Sequence, residues 1–518
     1  MTSPGDVPAV AAGPDAVAAE SEQPWLRLDK RMLLIHPVTE VVRFLPALVA
    51  TTFLGAQSGN HIWSLAVLGL TVVFAILRWF TTSYRIGPVH VQLRTGLFQK
   101  KLLSVPRSRI RSVDVESKVM HRLLGLSIVR IGTGQKVDKR EQFELNALDA
   151  GLVPALRDDL MDTSPAAAPE RPGPDGQHHV AVAPPSPEVE IAHFSNSWVR
   201  FAPFTATGVV IVAAVAGLIF QSGLGGTIAD SDAARSGVDS AARLGIVALV
   251  GLGIVVFLVV TSVLACVRYL VVYGNLRVTD DGHRLRVGHG LLSTRHTTLD
   301  RDRLRGTMLR RPLVLRWAGG AKLDAVMTGV SAQKSDSSLV LPAAPLREAT
   351  RVMTAVLADI GPPDAALVPL VPHGRIALRR RLTRALSPVL AVVAVLVVVQ
   401  LATGVIPSVV WVGAVVALVA ATALAVDRYR GLGHAADTGW LVTQYGSLDR
   451  RRATVESDGI LGWTVRQSFF QRRAGVATIV AATAAGQGHY DIVDVPVERA
   501  WSIVEAAQPG AGDVWARR

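Results

Sequence analysis

The chain has 518 residues, half of them hydrophobic, a formal net charge of +13 and one cysteine, Cys266. Its mean hydropathy of +0.35 is more apolar than a soluble globular domain, so membrane spans are the first feature to seek. The lone cysteine excludes an intrachain disulfide and a multi-cysteine metal site, and within an apolar run it reads as a small buried residue.

In chain order, 1–24 is rich in Pro, Ala and acidic residues and lacks the basic-then-apolar pattern of a cleavable signal peptide, so it reads as a disordered tail. Segment 25–81 holds juxtamembrane residues and two apolar runs, 44–58 and 62–80. Segment 82–161 is polar with short β-rich runs, and 162–190 is a Pro-rich linker. The pattern repeats: runs 203–222 and 244–266 within 191–267, a polar segment 268–360, and a linker 361–374. It repeats again with runs 386–406 and 408–426 within 375–427, a polar segment 428–508 and a tail 509–518. A span needs about 20 mainly apolar residues, so the expectation is six helices in three hairpins. Lys and Arg cluster outside the hairpins, as in Arg27, Lys30, Arg31, Arg268, Arg375 and Arg428, while the loops inside them carry few charges. Both termini and all polar segments are therefore expected on the cytoplasmic side.

The polar segments are copies of one another. Aligned without gaps on Gly96, Gly290 and Gly446, they match Val105 with Leu299 and Val455, and Ile110 with Leu304 and Ile460. Arg122 falls with Arg316 and Arg472, and Gly125 with Gly319 and Gly475. Each copy reads as short strands, with a turn at Thr95-Gly96 or His289-Gly290, and then a helix at about 149–161, 346–360 or 497–508. The fold class is α-helical transmembrane hairpins combined with three α+β modules of bent antiparallel sheets capped by a C-terminal helix.

These residues carry a resemblance. Gly96-Leu97-Phe98, Val105-Pro106, Arg109-Ile110 and Leu123-Leu124-Gly125-Leu126, placed after an apolar hairpin, resemble the bacterial pleckstrin-homology-like (membrane-flanked domain) family in its multi-copy, YdbT-like form. The second copy has Asp300 at the proline position, and the third has Glu456 there and Gly459 in place of Arg109. The resemblance implies PH-like modules on the cytoplasmic face of a bacterial cell membrane and supplies no biochemical activity.

Enzyme chemistry finds no support in the motifs. The stretch 131–136, IGTGQK, lacks the spacing and hydroxyl of a phosphate-binding loop; His178-His179 stands in the linker without further ligands; Asp280-Asp281-Gly282 is turn chemistry. No cofactor is expected. Transport is disfavoured because charges lie at span ends rather than inside, and nucleic acid because aromatic residues are scarce beside the basic clusters. Those clusters are the candidate site: Lys100, Lys101, Arg107, Arg109, Arg111 and Arg122 in the first copy, Arg301, Arg303, Arg305 and Arg316 in the second, Arg472 in the third. They read in three ways: as topology signals alone, as contacts to anionic lipid headgroups, or as a surface for an acidic protein. Met120, Leu123, Leu124, Phe469 and Phe470 beside them are either core or side chains that dip into the membrane interface.

The expected function is a non-enzymatic membrane-surface scaffold contacting anionic lipid or a membrane-protein or homo-oligomeric partner; the alternative is an accessory subunit of a transport or secretion complex. The copies themselves could also join edge to edge through exposed strands.

Overall fold

The computed structural model describes residues 23–32, 80–96, 100–110, 112–132, 143–161, 188–205, 246–328, 338–362 and 365–511, with residues 20 and 77. The expected spans 44–58, most of 62–80 and 206–222 lie outside these residues, as do nearly all of linker 162–190, His178, His179 and Arg111. The chain forms two units, Met1–Glu190 with Asn275–Arg303, and Ile191–Gly274 with Leu304–Arg518, so the division falls inside the second copy.

In the first unit, β1 (Leu26–Arg27), β2 (Ser83–Ile86), β3 (His90–Thr95) and β4 (Lys101–Pro106) form a four-stranded antiparallel sheet in that order. Trp25 lies under the guanidinium groups of Arg85 and Arg94, and Glu20 is buried against His90 at 3.1 Å. Alternation along β3 sends Val91 and Leu93 inward. A three-residue 3-10 turn, Arg107–Arg109, leads to β5 (Ser112–Ser117), the short helix α1 (Val119–Leu123), β6 (Leu126–Gly132), β7 (Phe143–Asp149) and α2 (Val153–Met161). Val91, Leu93 and Val105 from the front of the copy, Val113, Val129, Ile131 and Leu145 from its back, and Val153 and Leu160 of α2 share one core. The copy is thus a two-layer module closed by its C-terminal helix.

Its sheets do not end with the copy. The strand β8 (Val189–His193) and the front of the second copy, β9 (Arg277–Asp280), β10 (Arg284–His289) and β11 (Thr294–Asp300), join the back of the first in a seven-stranded sheet ordered β7-β6-β5-β11-β10-β9-β8. The joint is β5 against β11, antiparallel, running from Ser112↔Leu299 to Ser117↔Thr294.

In the second unit, α3 (Ile246–Tyr273) precedes the back of the second copy, β12 (Leu304–Pro312), the short helix α4 (Leu313–Trp317), β13 (Gly320–Met327), β14 (Leu339–Pro345) and α5 (Leu346–Val356). Ala349, Val352, Met353 and Val356 of α5 are buried at helical spacing. The helices α6 (Gly374–Thr403) and α7 (Ser408–Arg430) are followed by the front of the third copy, β15 (Gly433–Asp437), β16 (Trp440–Tyr445) and β17 (Asp449–Glu456). Its back is β18 (Ile460–Arg466), the short helix α8 (Phe469–Arg473), β19 (Val476–Thr483), β20 (His489–Pro496) and α9 (Ala500–Ala507). Here too the sheet crosses the copy boundary, in the order β14-β13-β12-β17-β16-β15, with β12 paired to β17 from Gly306↔Val455 to Pro312↔Asp449. Met308, Val326, Ala453, Val455, Ala485 and Tyr490 form a core across this joint. Strands β18, β19 and β20 make a separate three-stranded sheet.

The two joints are the same joint. Ser112 and Gly306 are equivalent in the repeat, as are Leu299 and Val455, and both pairs form; at the other end Ser117↔Thr294 corresponds to Arg311↔Arg450. The edge-to-edge pairing named as an expectation is therefore present twice, in one register.

Among the described residues three helices are long and apolar enough to cross a membrane: Val255–Tyr273, Gly374–Thr403 and Ser408–Arg430. Protein covers almost none of the apolar surface of the latter two, which pack on each other across a turn at Gly404–Pro407. Two of these helices outrun their apolar sequences. At its end α3 is held by Tyr269, whose hydroxyl donates to Ala343 O at 2.7 Å, while α6 begins at Gly374 because its basic first turns are anchored on Asp494 by Arg380 and Arg381. Cys266 is half-buried rather than buried, its Sγ facing Val199 O at 3.7 Å.

Candidate functional site

Each copy places a five-residue helix between the first and second strands of its back half: α1, α4 and α8. It ends at a glycine with positive φ, Gly125, Gly319 or Gly475, which satisfies the last turn and sends the chain back into the sheet. One position faces inward in all three copies, as buried His121, Leu315 and Gln471. The opposite side is exposed and apolar, at Val119, Met120 and Leu123 in α1, Val314 and Trp317 in α4, and Phe469 and Phe470 in α8. Leu123, Trp317 and Phe470 are 75%, 76% and 73% exposed, which excludes them from the core. Phe469 and Phe470 meet edge to face with centroids 5.5 Å apart.

An arginine stands in each short helix, and it does different work in each copy. Arg122 donates to Leu291 O at 2.8 Å. Arg316 is mostly buried and pairs with Asp427, near the end of α7, at 2.8 Å. Arg472 is exposed, with no side-chain partner among the described residues. The remaining basic residues divide similarly. Arg107 pairs with Asp159 of α2 at 2.5 Å, and Arg301 pairs with Asp280. Arg303 contacts Asp300 at 3.0 Å and donates to Ile110 O of the first copy, while Arg305 reaches Glu456 of the third at 2.7 Å. Asp300 and Glu456 are the residues that replace Pro106; Glu456 thereby supplies an acceptor across a copy boundary, while Asp300 holds Arg303 of its own copy, which reaches Ile110 O of the first. Lys100, Lys101 and Arg109 are exposed on the front of the first copy.

The first unit also has an open cavity of about 350 Å³ lined by Arg157, Glu188, Arg277, Arg286, His289 and His296. Glu188 occupies its basic wall, accepting from Thr279 at 2.5 Å and Arg286 at 3.1 Å; hydrogen bonding to Thr279 holds its carboxyl below the usual range. No cluster of metal-ligating side chains occurs among the described residues.

The sequence profile of the bacterial PH domain matches the chain three times, at residues 40–163, 235–359 and 387–508. The chain belongs to the bacterial PH domain family. Each match takes in an apolar segment and the α+β copy after it, so the protein is a multi-copy bacterial PH protein. No curated protein and no solved structure matches the chain. The PH copies present antiparallel sheets and C-terminal helices, a framework that generally lacks catalytic chemistry, and the length and composition of the apolar helices suggest membrane association.

Sequence reasoning placed basic and bulky apolar residues in one segment and left open which way they point. The signal that could have resolved this was the inward position shared by His121, Leu315 and Gln471, around which the exposed residues recur at helical spacing.

Proposed function

We propose that this bacterial PH protein is a non-enzymatic scaffold of the bacterial cell membrane, with six spans, cytoplasmic PH copies and short helices that insert their apolar tips among anionic lipids. The observation that carries the reading is the recurrence of exposed bulky side chains at Leu123, Trp317 and Phe470, each within a residue or two of an arginine. Aliphatic and aromatic tips gain by leaving water for the acyl boundary, and a basic residue gains about 1 kcal/mol beside anionic lipid. In this reading Lys100, Arg109 and Arg472, which are exposed, supply that attraction. Arg303, Arg305 and Arg316 are committed to protein acceptors and serve the assembly of the copies instead.

Because the sheets run through copy boundaries, the full chain is the proper sample. A polarity-sensitive fluorophore attached at Leu123→Cys, Trp317→Cys or Phe470→Cys in a Cys266→Ser background, with the chain in nanodiscs, reads the depth of each tip. A blue shift that grows with anionic lipid supports the proposal. Emission at the aqueous value for all three positions overturns it.

A further inference from the structure

Among the described residues two strand edges lack the partner strand that their equivalents possess. The back strand of each copy pairs with the front strand of the next, through β5 with β11 and β12 with β17. Within residues 1–518 the family profile matches no copy ahead of the first or behind the third. Among the described residues β4 accordingly ends its sheet, and so does β18. Burial follows the same division. Ser112–Val115 and Gly306–Leu309 are buried, whereas the equivalent Gly462–Val465 are not. Thr297–Leu299 and Ala453–Val455 are buried, whereas Leu103 is half-buried and Ser104 exposed. The missing burial is the burial a joint confers.

We infer that β18 of one chain pairs with β4 of a second copy of this chain, in the register of the internal joints. Carrying the register over sets Gly462 opposite Val105, Trp463 opposite Ser104, Thr464 opposite Leu103, Val465 opposite Leu102 and Arg466 opposite Lys101. Thr464 and Leu103 correspond to Asp114 and Thr297, whose side chains touch at 2.6 Å in the first joint, so the facing positions come into contact. Pro106 falls one position beyond this ladder, where its missing N–H removes no bond. The like-charged pair Arg466 and Lys101 has its equivalent in Arg310↔Arg451, where Asp449 bonds both guanidinium groups; beside Arg466 the carboxylate is Asp491, at 3.4 Å. Front and back edges differ, so the contact is head to tail and its repetition yields a ring or a filament.

The test uses the full chain in membranes, with Cys266→Ser throughout. Chains carrying Leu103→Cys are mixed with differently tagged chains carrying Thr464→Cys and oxidised. A disulfide-linked heterodimer is expected, and chains with both substitutions should give a ladder of dimers and larger species. Leu102→Cys with Thr464→Cys should lose the cross-link, because a one-residue slip moves the side chains to opposite faces of the sheet. A second measurement avoids cysteines: the wild-type chain in mild detergent should exceed one chain in mass, and Leu103→Lys with Thr464→Lys should reduce it to one. An internal disulfide within single chains, equal cross-linking at the slipped pair, or a monomeric wild type overturns the inference.

Discussion

Asp494 is the residue whose replacement most directly tests how the third copy is tied to the long apolar helix α6. Its side chain is 1% exposed and receives Arg380 at 2.9 Å, Arg381 at 3.0 Å and Gln471 Nε2 at 3.0 Å, and Arg381 is itself 5% exposed. Replacing Asp494→Asn keeps the shape and a residue that tolerates the backbone there, where φ is +62°, and leaves buried guanidinium groups without a countercharge. Breaking a buried ion pair from one side costs about 3–5 kcal/mol. Asp494→Ala adds roughly 1–2 kcal/mol for a left-handed conformation without a short polar side chain. Removing both partners differs, since Asp494→Asn with Arg381→Met leaves less buried charge and should recover part of the loss. Urea unfolding of the detergent-solubilised chain at neutral pH, with hydrogen exchange over 374–384, reads both effects. If Asp494→Asn stays within about 0.5 kcal/mol of wild type, or the double variant is simply the sum of the singles, the electrostatic tie is refuted.

Stability should depend on pH through two opposing groups in the same unit. His373 Nδ1 donates to Val493 O at 2.7 Å, so its Nε2 accepts from His434 Nδ1 at 2.8 Å. Burial pushes His434 down to about 4, so its contribution is full above about 6.5 and is lost as pH falls through 4. Burial pushes Asp324 up to about 6, so its contribution is full below about 3.8 and is lost as pH rises through 6. Each amounts to about 3 kcal/mol and they offset one another; Asp324→Asn should unmask stability that rises from pH 4 to 6.5, and His434→Asn stability that falls, in denaturant titrations across that range. At the first joint, Asp114 is buried and bonds Thr297 at 2.6 Å and Arg295 at 3.1 Å. Asp114→Ala should cost about 2–3 kcal/mol and speed hydrogen exchange in β5 and β11 before β3. Leu123→Ser, Trp317→Ser and Phe470→Ser should each change stability by less than about 0.5 kcal/mol, since the side chains are exposed, and their combination should weaken recruitment of anionic lipid to the chain, read by native mass spectrometry.

The copies themselves were legible in the sequence because their turns are chemically constrained. Gly96, Gly290 and Gly446 recur since the turn there needs positive φ, and a Cβ at Gly446 would meet Asp449 O at 2.1 Å. The C-terminal helices were legible through their spacing of apolar residues. What strand pairs with what was not. Alternation along β5 states that Val113 and Val115 face a core, and it carries no information about whether the neighbouring edge belongs to the same copy or the next. The role of most candidate arginines was hidden for the same reason: Arg305 meets Glu456 only after the sheet has crossed 151 positions of chain. The exposed tips were half legible, since composition named Phe469 and Phe470, while burial of Gln471 between them and Arg472 emerges only from the fold.

The sharing of sheets between neighbouring copies also bears on how such a chain can change its length over evolutionary time. What recurs along the sequence is an apolar segment with a module behind it; what is built in the protein is the back of one module sealed by the front of the next. Since every seam uses one register, inserting or deleting a whole copy preserves all the others and merely relocates the two ends. Copy number can therefore drift without any interface having to be reinvented, whereas loss of half a copy would leave a seam with only one lip.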